Sequence, residues 1–399
     1  MPPKMYFATF RFLILSLAVL AQLYLFLRIR RAIRSSHWSD PFKSWATRLA
    51  GVTVVLLFAM NEYIMFKPVT WVNPSAAAEF LLFYPPAVWT FGSILSALLL
   101  GLAQLLGAAG RIAVRGYRGL VNRRSATPVD LDRRQFIQAG VVGLVVAPLV
   151  LSEYGAAYAS KAYEVRELTL PFGCSLRVVQ LSDIHAGLYM TRKEMRHFAD
   201  QVNLLQPDLF VLTGDYISNS MKFLPSCVEE MSRVRARYGT FAIMGNHERW
   251  YGRQSPILAM FHQHRITFLL NTHKVIRSAQ GPFAVAGIDD LLAGYPDLEA
   301  ALQGLEAAMP TILLSHRPEI FPRAAAQGIP LTLSGHYHGG QIKLRLPGAD
   351  ISLAHLRTPY PEGLYQRQDS HLYVNRGIGT TFTPIRLNAR PEVTVLNLT

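Results

Sequence analysis

His336 and His338 stand one residue apart, between the apolar run 329–333 and the glycine pair Gly339 and Gly340. A strand running into a loop that carries two imidazoles is a metal-binding arrangement. Alone, such a pair is as often a surface coincidence, so its meaning depends on donors in equivalent places. Four further apolar runs end in them. Run 176–181 leads to Asp183 and His185, and run 209–212 leads through Gly214 to Asp215. Run 241–244 leads through Gly245 to Asn246, His247 and Glu248, and run 311–314 leads to His316. Singly, Asp215 reads as a turn residue, Asn246 as a loop former and His316 as a surface histidine. Five repetitions of one arrangement make coincidence improbable.

The donor types define the chemistry. Carboxylate and amide oxygens with imidazole nitrogens suit divalent metals of the Mn, Fe or Zn kind, and the lack of thiolates argues against structural zinc. Two such ions about 3.5 to 4 Å apart need a bridging carboxylate and share a hydroxide that attacks phosphorus in line. Elements must then bring the five loops together. The short β-rich runs alternate with helical stretches, an α/β pattern, and in open α/β folds ligands collect at the carboxyl ends of strands. The final run 393–398 is expected to be a closing strand.

The rest of the chain has a different texture. Of 399 residues, 50% are hydrophobic, and the formal net charge is +14. Residues 1–135 hold 16 Lys/Arg against 5 Asp/Glu, whereas residues 136–399 hold 24 against 21, so the excess is +11 in the first part and +3 in the second. The modest charge of the second part offers little support for a nucleic-acid partner. Nearly uncharged runs at 12–27, 49–66 and 80–109 each suit one membrane-spanning helix. Pro85 and Pro86 suit the first turn of the third. Between the first two runs lie Arg28, Arg30, Arg31, Arg34, Lys43 and Arg48, and after the third come seven arginines by residue 134. The intervening segment 67–79 carries only Lys67. The positive-inside rule places both Arg-rich loops in the cytoplasm.

A fourth apolar run, 141–151, comes after Arg133, Arg134, Gln135, Phe136 and Ile137. This segment resembles the twin-arginine export signal, with Asp132, Ile137 and Gln138 departing from the usual residues. An ordinary basic flank is the other reading, and both readings export the C-terminal part of the chain. The run is short for an anchor, and Ala157-Tyr158-Ala159 has a small-x-small cleavage form. The expected organisation is a three-helix membrane region over 1–135, a fourth helix or signal-like segment over 136–160, and a metal-binding domain over 161–399. Cys174 and Cys227 form neither a zinc motif nor a disulfide framework, and a single bridge and two free thiols both remain open.

The five blocks, in this order, resemble the calcineurin-like metallophosphoesterase superfamily over roughly residues 175–399. That resemblance implies a two-sheet α/β sandwich with helices outside. It implies that Asp183, His185 and His338 bind one metal, that Asp215 bridges, and that Asn246, His316 and His336 bind the second. His247 would protonate the leaving oxygen or steady the developing charge. Protein Ser/Thr phosphatases of this superfamily follow the Gly-Asp block with a further Asp and an Arg. Here Ser218 and Asn219 occupy those places, which disfavours protein phosphatase activity and leaves open what orients His247. The C-terminal blocks Gly339-Gly340-Gln341, Tyr360-Pro361-Glu362-Gly363, Asn375-Arg376-Gly377-Ile378-Gly379 and Arg390-Pro391-Glu392 are similar to the membrane-associated bacterial phosphodiesterase branch. The implied protein is a multi-pass enzyme of the cytoplasmic membrane with its catalytic domain outside. It would cut a phosphate ester, and a lipid-linked or envelope substrate fits that address. A receptor or scaffold that binds a phosphorylated ligand without turnover would be marked by a missing ligand or acid, and none is missing.

Overall fold

The structure, a computed structural model, describes residues 3–66, 75–121 and 131–399. It divides into two compact units, Met1–Lys67 with Phe80–Tyr154, and Pro68–Glu79 with Gly155–Thr399.

The first unit is helical. Its long helices are Pro3–Arg34, Asp40–Phe66, Tyr84–Val121 and Leu131–Tyr154. All four are long and apolar enough to cross a membrane. Their burial pattern is inverted relative to a water-soluble bundle. Leu20, Val52, Leu105 and Ile112 are exposed, whereas Gln22, Ser93, Ser96 and Ser152 are buried. Polar contacts join the helices: Gln104 Nε2 donates to Tyr24 Oη at 2.7 Å, and Ser96 Oγ to the Val145 carbonyl at 3.1 Å. Such contacts suit surroundings where apolar burial between helices gains little. Gly92 permits close packing, since a Cβ there would lie 2.6 Å from Leu149 Cδ2. Pro85 and Pro86 lie in the first turn of Tyr84–Val121, as expected, and a π-helical turn, Glu79–Phe83, runs directly into it. Lys67, Arg123 and Arg124 lie outside the described residues, while Arg133 and Arg134 fall within the helix Leu131–Tyr154.

The second unit is a two-sheet α/β sandwich. The first sheet contains β1 (Glu164–Leu170), β2 (Leu176–Leu181), β3 (Leu209–Leu212), β4 (Thr240–Ala242), β5 (Thr267–Phe268) and the C-terminal Glu392–Leu398. The second contains β6 (Thr272–Ser278), β7 (Gly281–Gly287), β8 (Thr311–Leu314) and β9 (Leu331–Ser334), with Gly363–Arg367 and Ser370–Val374 at its far edge. A separate hairpin pairs β10 (Leu344–Leu346) with β11 (Ala349–Ile351). Following these in chain order, Gly363–Arg367 is β12, Ser370–Val374 is β13 and Glu392–Leu398 is β14. The strand orders are β1-β14-β2-β3-β4-β5 and β12-β13-β9-β8-β7-β6. Neighbours from β2 to β5 are parallel, as are those joining β7, β8, β9 and β13.

Period-two alternation builds the sandwich. Leu176, Val178, Leu209, Val211, Phe241 and Ile243 meet Phe283, Val285, Ile312, Leu314, Leu331 and Leu333 between the sheets. The alternate residues Val179, Leu181, Phe210 and Leu212 face outward onto Met195, Phe198, Leu224, Val228 and Phe261 of the covering helices. Strands buried on both faces read as continuous apolar runs. Cys174 and Cys227 are buried free thiols in different clusters.

Candidate metal centre

The loops after β2, β3, β8 and β9 and the first turn of the helix Asn246–Tyr251 after β4 carry all seven expected ligands and His247, and the structure gathers them into contiguous groups. Asp183, His185 and His338 form one; His185, Asp215 and His247 a second; Asp215, His316 and His336 a third. Within each group the potential ligand atoms lie within 4.8 Å of one another. Asp215 joins them. Its Oδ2 is 3.7 Å from His185 Nε2, 3.3 Å from His316 Nε2 and 4.0 Å from His247 Nε2. Its Oδ1 accepts the His247 backbone N–H at 2.9 Å. On one side of Asp215, His185 Nε2 and His338 Nε2 are 3.1 Å apart, and His338 Nε2 is 3.4 Å from Asp183 Oδ1. On the other side, His316 Nε2 lies 3.2 Å from Asn246 Oδ1 and 3.1 Å from His336 Nδ1.

The local backbone is bent to achieve this convergence. Asp183, His185, Asp215, His336 and His338 have φ values of 49°, 50°, 55°, 75° and 51°. Non-glycine residues in this left-handed region are uncommon and persist where surrounding structure enforces them. Glycines allow the loops to cross. A Cβ on Gly335 would lie 1.9 Å from Ser182 Oγ and 2.2 Å from Asp183 Oδ2, and one on Gly245 would lie 2.2 Å from the Asp215 nitrogen. Glu248 fixes the β3 and β4 loops together, its carboxylate accepting the backbone N–H groups of Asp215, Tyr216, Ile217 and Gly245 at 2.8–3.2 Å.

Backbone carbonyls orient three rings. His185 Nδ1 faces the Ile217 carbonyl at 3.3 Å, and His316 Nδ1 faces the Thr213 carbonyl at 2.7 Å. A carbonyl only accepts, so Nδ1 carries the proton and Nε2 is directed into the site. His247 Nδ1 donates likewise to the Ser218 carbonyl. A main-chain oxygen of Ser218 itself thus orients the His247 ring.

Electrostatics favour cations. Burial pushes Asp183 up to about 6, and burial lowers His185 to about 3. Burial also holds His338 and His336 well below the usual histidine range, aided by His185 and Arg386 for His338 and by Arg317 for His336. Burial opposes charge on Asp215 and His316, but their mutual attraction outweighs it. His316 rises to about 10, and Asp215 falls well below the carboxylate range. Neutral imidazoles beside two buried carboxylates and an amide oxygen form a donor set that fits divalent cations, which would neutralise the carboxylates more completely than His316 does.

Several neighbours are absent from the sequence reading. Arg317 donates through Nε to Asp290 at 2.9 Å, through Nη2 to Asn246 Oδ1 at 3.2 Å and through Nη1 to His336 Nε2 at 2.5 Å. Asp289 pairs with Arg249. The two aspartates follow β7, another parallel strand, so the strand-end signal existed for them. Thr381 Oγ1 lies 2.9 Å from His185 Nε2 and 3.0 Å from His338 Nε2. Arg386, fully buried, donates to the carbonyls of Arg376, Gly377, Gly379 and Ala389 and reaches His338 Nδ1 at 3.1 Å. No sequence spacing announces a guanidinium satisfied by carbonyls. The other histidines, 37, 197, 262, 264, 273, 355 and 371, belong to none of the groups.

Comparison with known proteins agrees with this geometry. Residues 176–340 match the family described as calcineurin-like phosphoesterase. The chain is 31% identical over 281 residues to the uncharacterized metallophosphoesterase YkuE of Bacillus subtilis, covering 67% of this chain and 98% of that protein. It is 31% identical over 307 residues to a Bos taurus protein named transmembrane protein with metallophosphoesterase domain, covering 71% and 68%. Phosphodiesterase YaeI of Escherichia coli is 29% identical over 280 residues, covering 67% and 99%. With its strand-end donors, its paired sheets and a relative matched over nearly its whole length, the chain belongs to the calcineurin-like phosphoesterase family and is a metal-dependent phosphoesterase.

Proposed function

We propose that the protein is a membrane-anchored, two-metal phosphodiesterase. In this reading Asp183, His185 and His338 would hold one ion, Asn246, His316 and His336 the other, and Asp215 would contribute to both. The observation that carries it is the position of Asp215 Oδ2 between His185 Nε2 and His316 Nε2, at 3.7 and 3.3 Å. When bound, the ions supply Lewis acidity and a nucleophile at neutral pH. The chain's residues do the rest. His247, with Nδ1 held by the Ser218 carbonyl, directs Nε2 into the site and donates a proton to the departing oxygen. Arg317, tied by Asp290, keeps the amide of Asn246 turned with its oxygen inward. The catalytic unit is placed at the outer face of the cytoplasmic membrane, acting on a phosphate ester of that surface. The four apolar helices and the relative named as a transmembrane protein support membrane association, and the arginine-rich segments beside the apolar runs support the outer face.

Metal content and hydrolysis of bis(p-nitrophenyl) phosphate by the purified full chain test the assignment. Asp215→Ala is expected to lose metal and activity together. His247→Ala is expected to keep its metal and lose about 10²- to 10⁴-fold in kcat, the usual contribution of a general acid. Unchanged activity in either variant overturns the corresponding role.

A further inference from the structure

We propose that the β10–β11 hairpin and the turn after it dip into a lipid bilayer and offer the metal site a phosphodiester borne by a lipid. The proposal rests on the phosphoesterase reading and narrows its substrate to a membrane-embedded ester.

The hairpin is two-sided. Leu344 pairs with Ile351 and Leu346 with Ala349, so these four side chains share one face; Arg345 and Asp350 pair on the other. The apolar face is uncovered: Leu344 is 59% exposed, and Leu346 and Ile351 are also exposed. Leu353 and Leu356, 70% and 77% exposed, continue the surface within five residues. This is a concentration of large aliphatic side chains that a water-facing loop does not need. The hairpin belongs to neither six-stranded sheet, and an isolated two-stranded hairpin is marginal in water. The opposite face is firmly tied. Lys343 is buried, bonded to Asp350 at 3.1 Å and also to Glu362.

The patch adjoins the site. Ser352 packs on Gly340, two residues from His338; a Cβ on Gly340 would lie 2.0 Å from Ser352 Oγ. Glu362, which anchors Lys343, also packs on Gly339. Thr358 Oγ1 and Tyr337 Oη both donate to Glu319 Oε1, at 2.8 and 2.5 Å, closing the segment onto the loop between the two ligand histidines.

The composition selects a bilayer over a protein partner. Protein interfaces concentrate binding in Trp, Tyr and Arg, with leucine under-represented. Here the face is aliphatic, and exposed Arg357 beside Leu356 suits phosphate headgroups. The same chain carries four helices suited to span a membrane, so the bilayer is present at high effective concentration.

The test uses the full chain in phosphatidylethanolamine/phosphatidylglycerol vesicles. Buried Cys174 and Cys227 allow selective labelling of Leu353→Cys or Leu356→Cys with an environment-sensitive fluorophore. Quenching by brominated lipid and protection from aqueous iodide are expected, with the label on Arg345→Cys remaining accessible to iodide. Iodide quenching at position 353 or 356, or protection without quenching by brominated lipid, overturns docking. The second arm compares vesicle-borne hexadecyl p-nitrophenyl phosphate with soluble bis(p-nitrophenyl) phosphate. The wild type should favour the vesicle-borne ester at least tenfold in kcat/KM. Combined Leu344→Asp, Leu353→Asp and Leu356→Asp should abolish that preference and leave the soluble rate within twofold, which also reports folding. An unchanged preference overturns the substrate assignment. Hydrolysis of neither ester instead overturns the phosphodiesterase reading, while the labelling arm still decides docking.

Discussion

Arg386 lies wholly inside the protein and donates its N–H groups to main-chain carbonyls. Burial, together with the nearby charge of Arg376, lowers it to about 9, while the charges of Asp183, Glu392 and Glu362 and the surrounding carbonyls favour the guanidinium. Its planar fork reaches residues from Arg376 to Ala389 at once and touches His338 Nδ1 at 3.1 Å. It therefore positions one expected metal ligand by shaping the strand-to-loop backbone around it. A lysine retains the charge but not the fork. Arg386→Lys is expected to cost about 3 kcal/mol, the range for losing hydrogen bonds to a buried charged group, and to reduce metal content. Thermal unfolding followed by metal analysis checks this, and an unaltered midpoint would refute the positioning role. Residues of this kind escape a sequence reading because their partners are main-chain atoms that only the fold assembles. Asp183, His185, Asp215 and His316 were legible because each comes after a short apolar run.

Those runs translate directly into elements. Stretches 176–181, 209–212 and 311–314 coincide with β2, β3 and β8. Burial on both faces makes such strands continuous in hydropathy, and parallel neighbours deliver their carboxyl ends to the same edge. The hairpin was illegible for the converse reason: its β10 and β11 are three residues each and owe their order to Lys343, Asp350 and Glu362. Loop crossing also depends on contacts far apart in sequence. Gly335 has an ordinary backbone conformation, so alanine introduces no φ strain, but its Cβ would collide with Ser182 Oγ and Asp183 Oδ2. Gly335→Ala is expected to displace Asp183 and reduce activity about 100-fold, the scale associated with a 1 Å misplacement. Bound metal should fall with it. Retention of full metal and activity would show that the β2 and β9 loops can separate without consequence.

At the scale of the whole chain, charge asymmetry and the exported-site proposal make one connected prediction. The +11 excess in residues 1–135 lies among segments whose helices can span a membrane, whereas residues 136–399 carry only +3. If the arginine-rich loops are cytoplasmic, as proposed, the C-terminal unit would lie on the opposite side. A β-lactamase fused after Thr399 is expected to confer ampicillin resistance on intact cells, and its failure, with the fusion present in membranes, would put the metal site in the cytoplasm. Arg133 and Arg134 open the helix Leu131–Tyr154 that precedes this unit. Replacing both by lysine preserves charge but removes the paired guanidinium groups, which separates two routes of export. Loss of resistance identifies recognition of the arginine pair itself, as in a twin-arginine signal. Retained resistance identifies a basic flank acting only through charge, and in either outcome the wild-type fusion alone decides on which side the catalytic unit works.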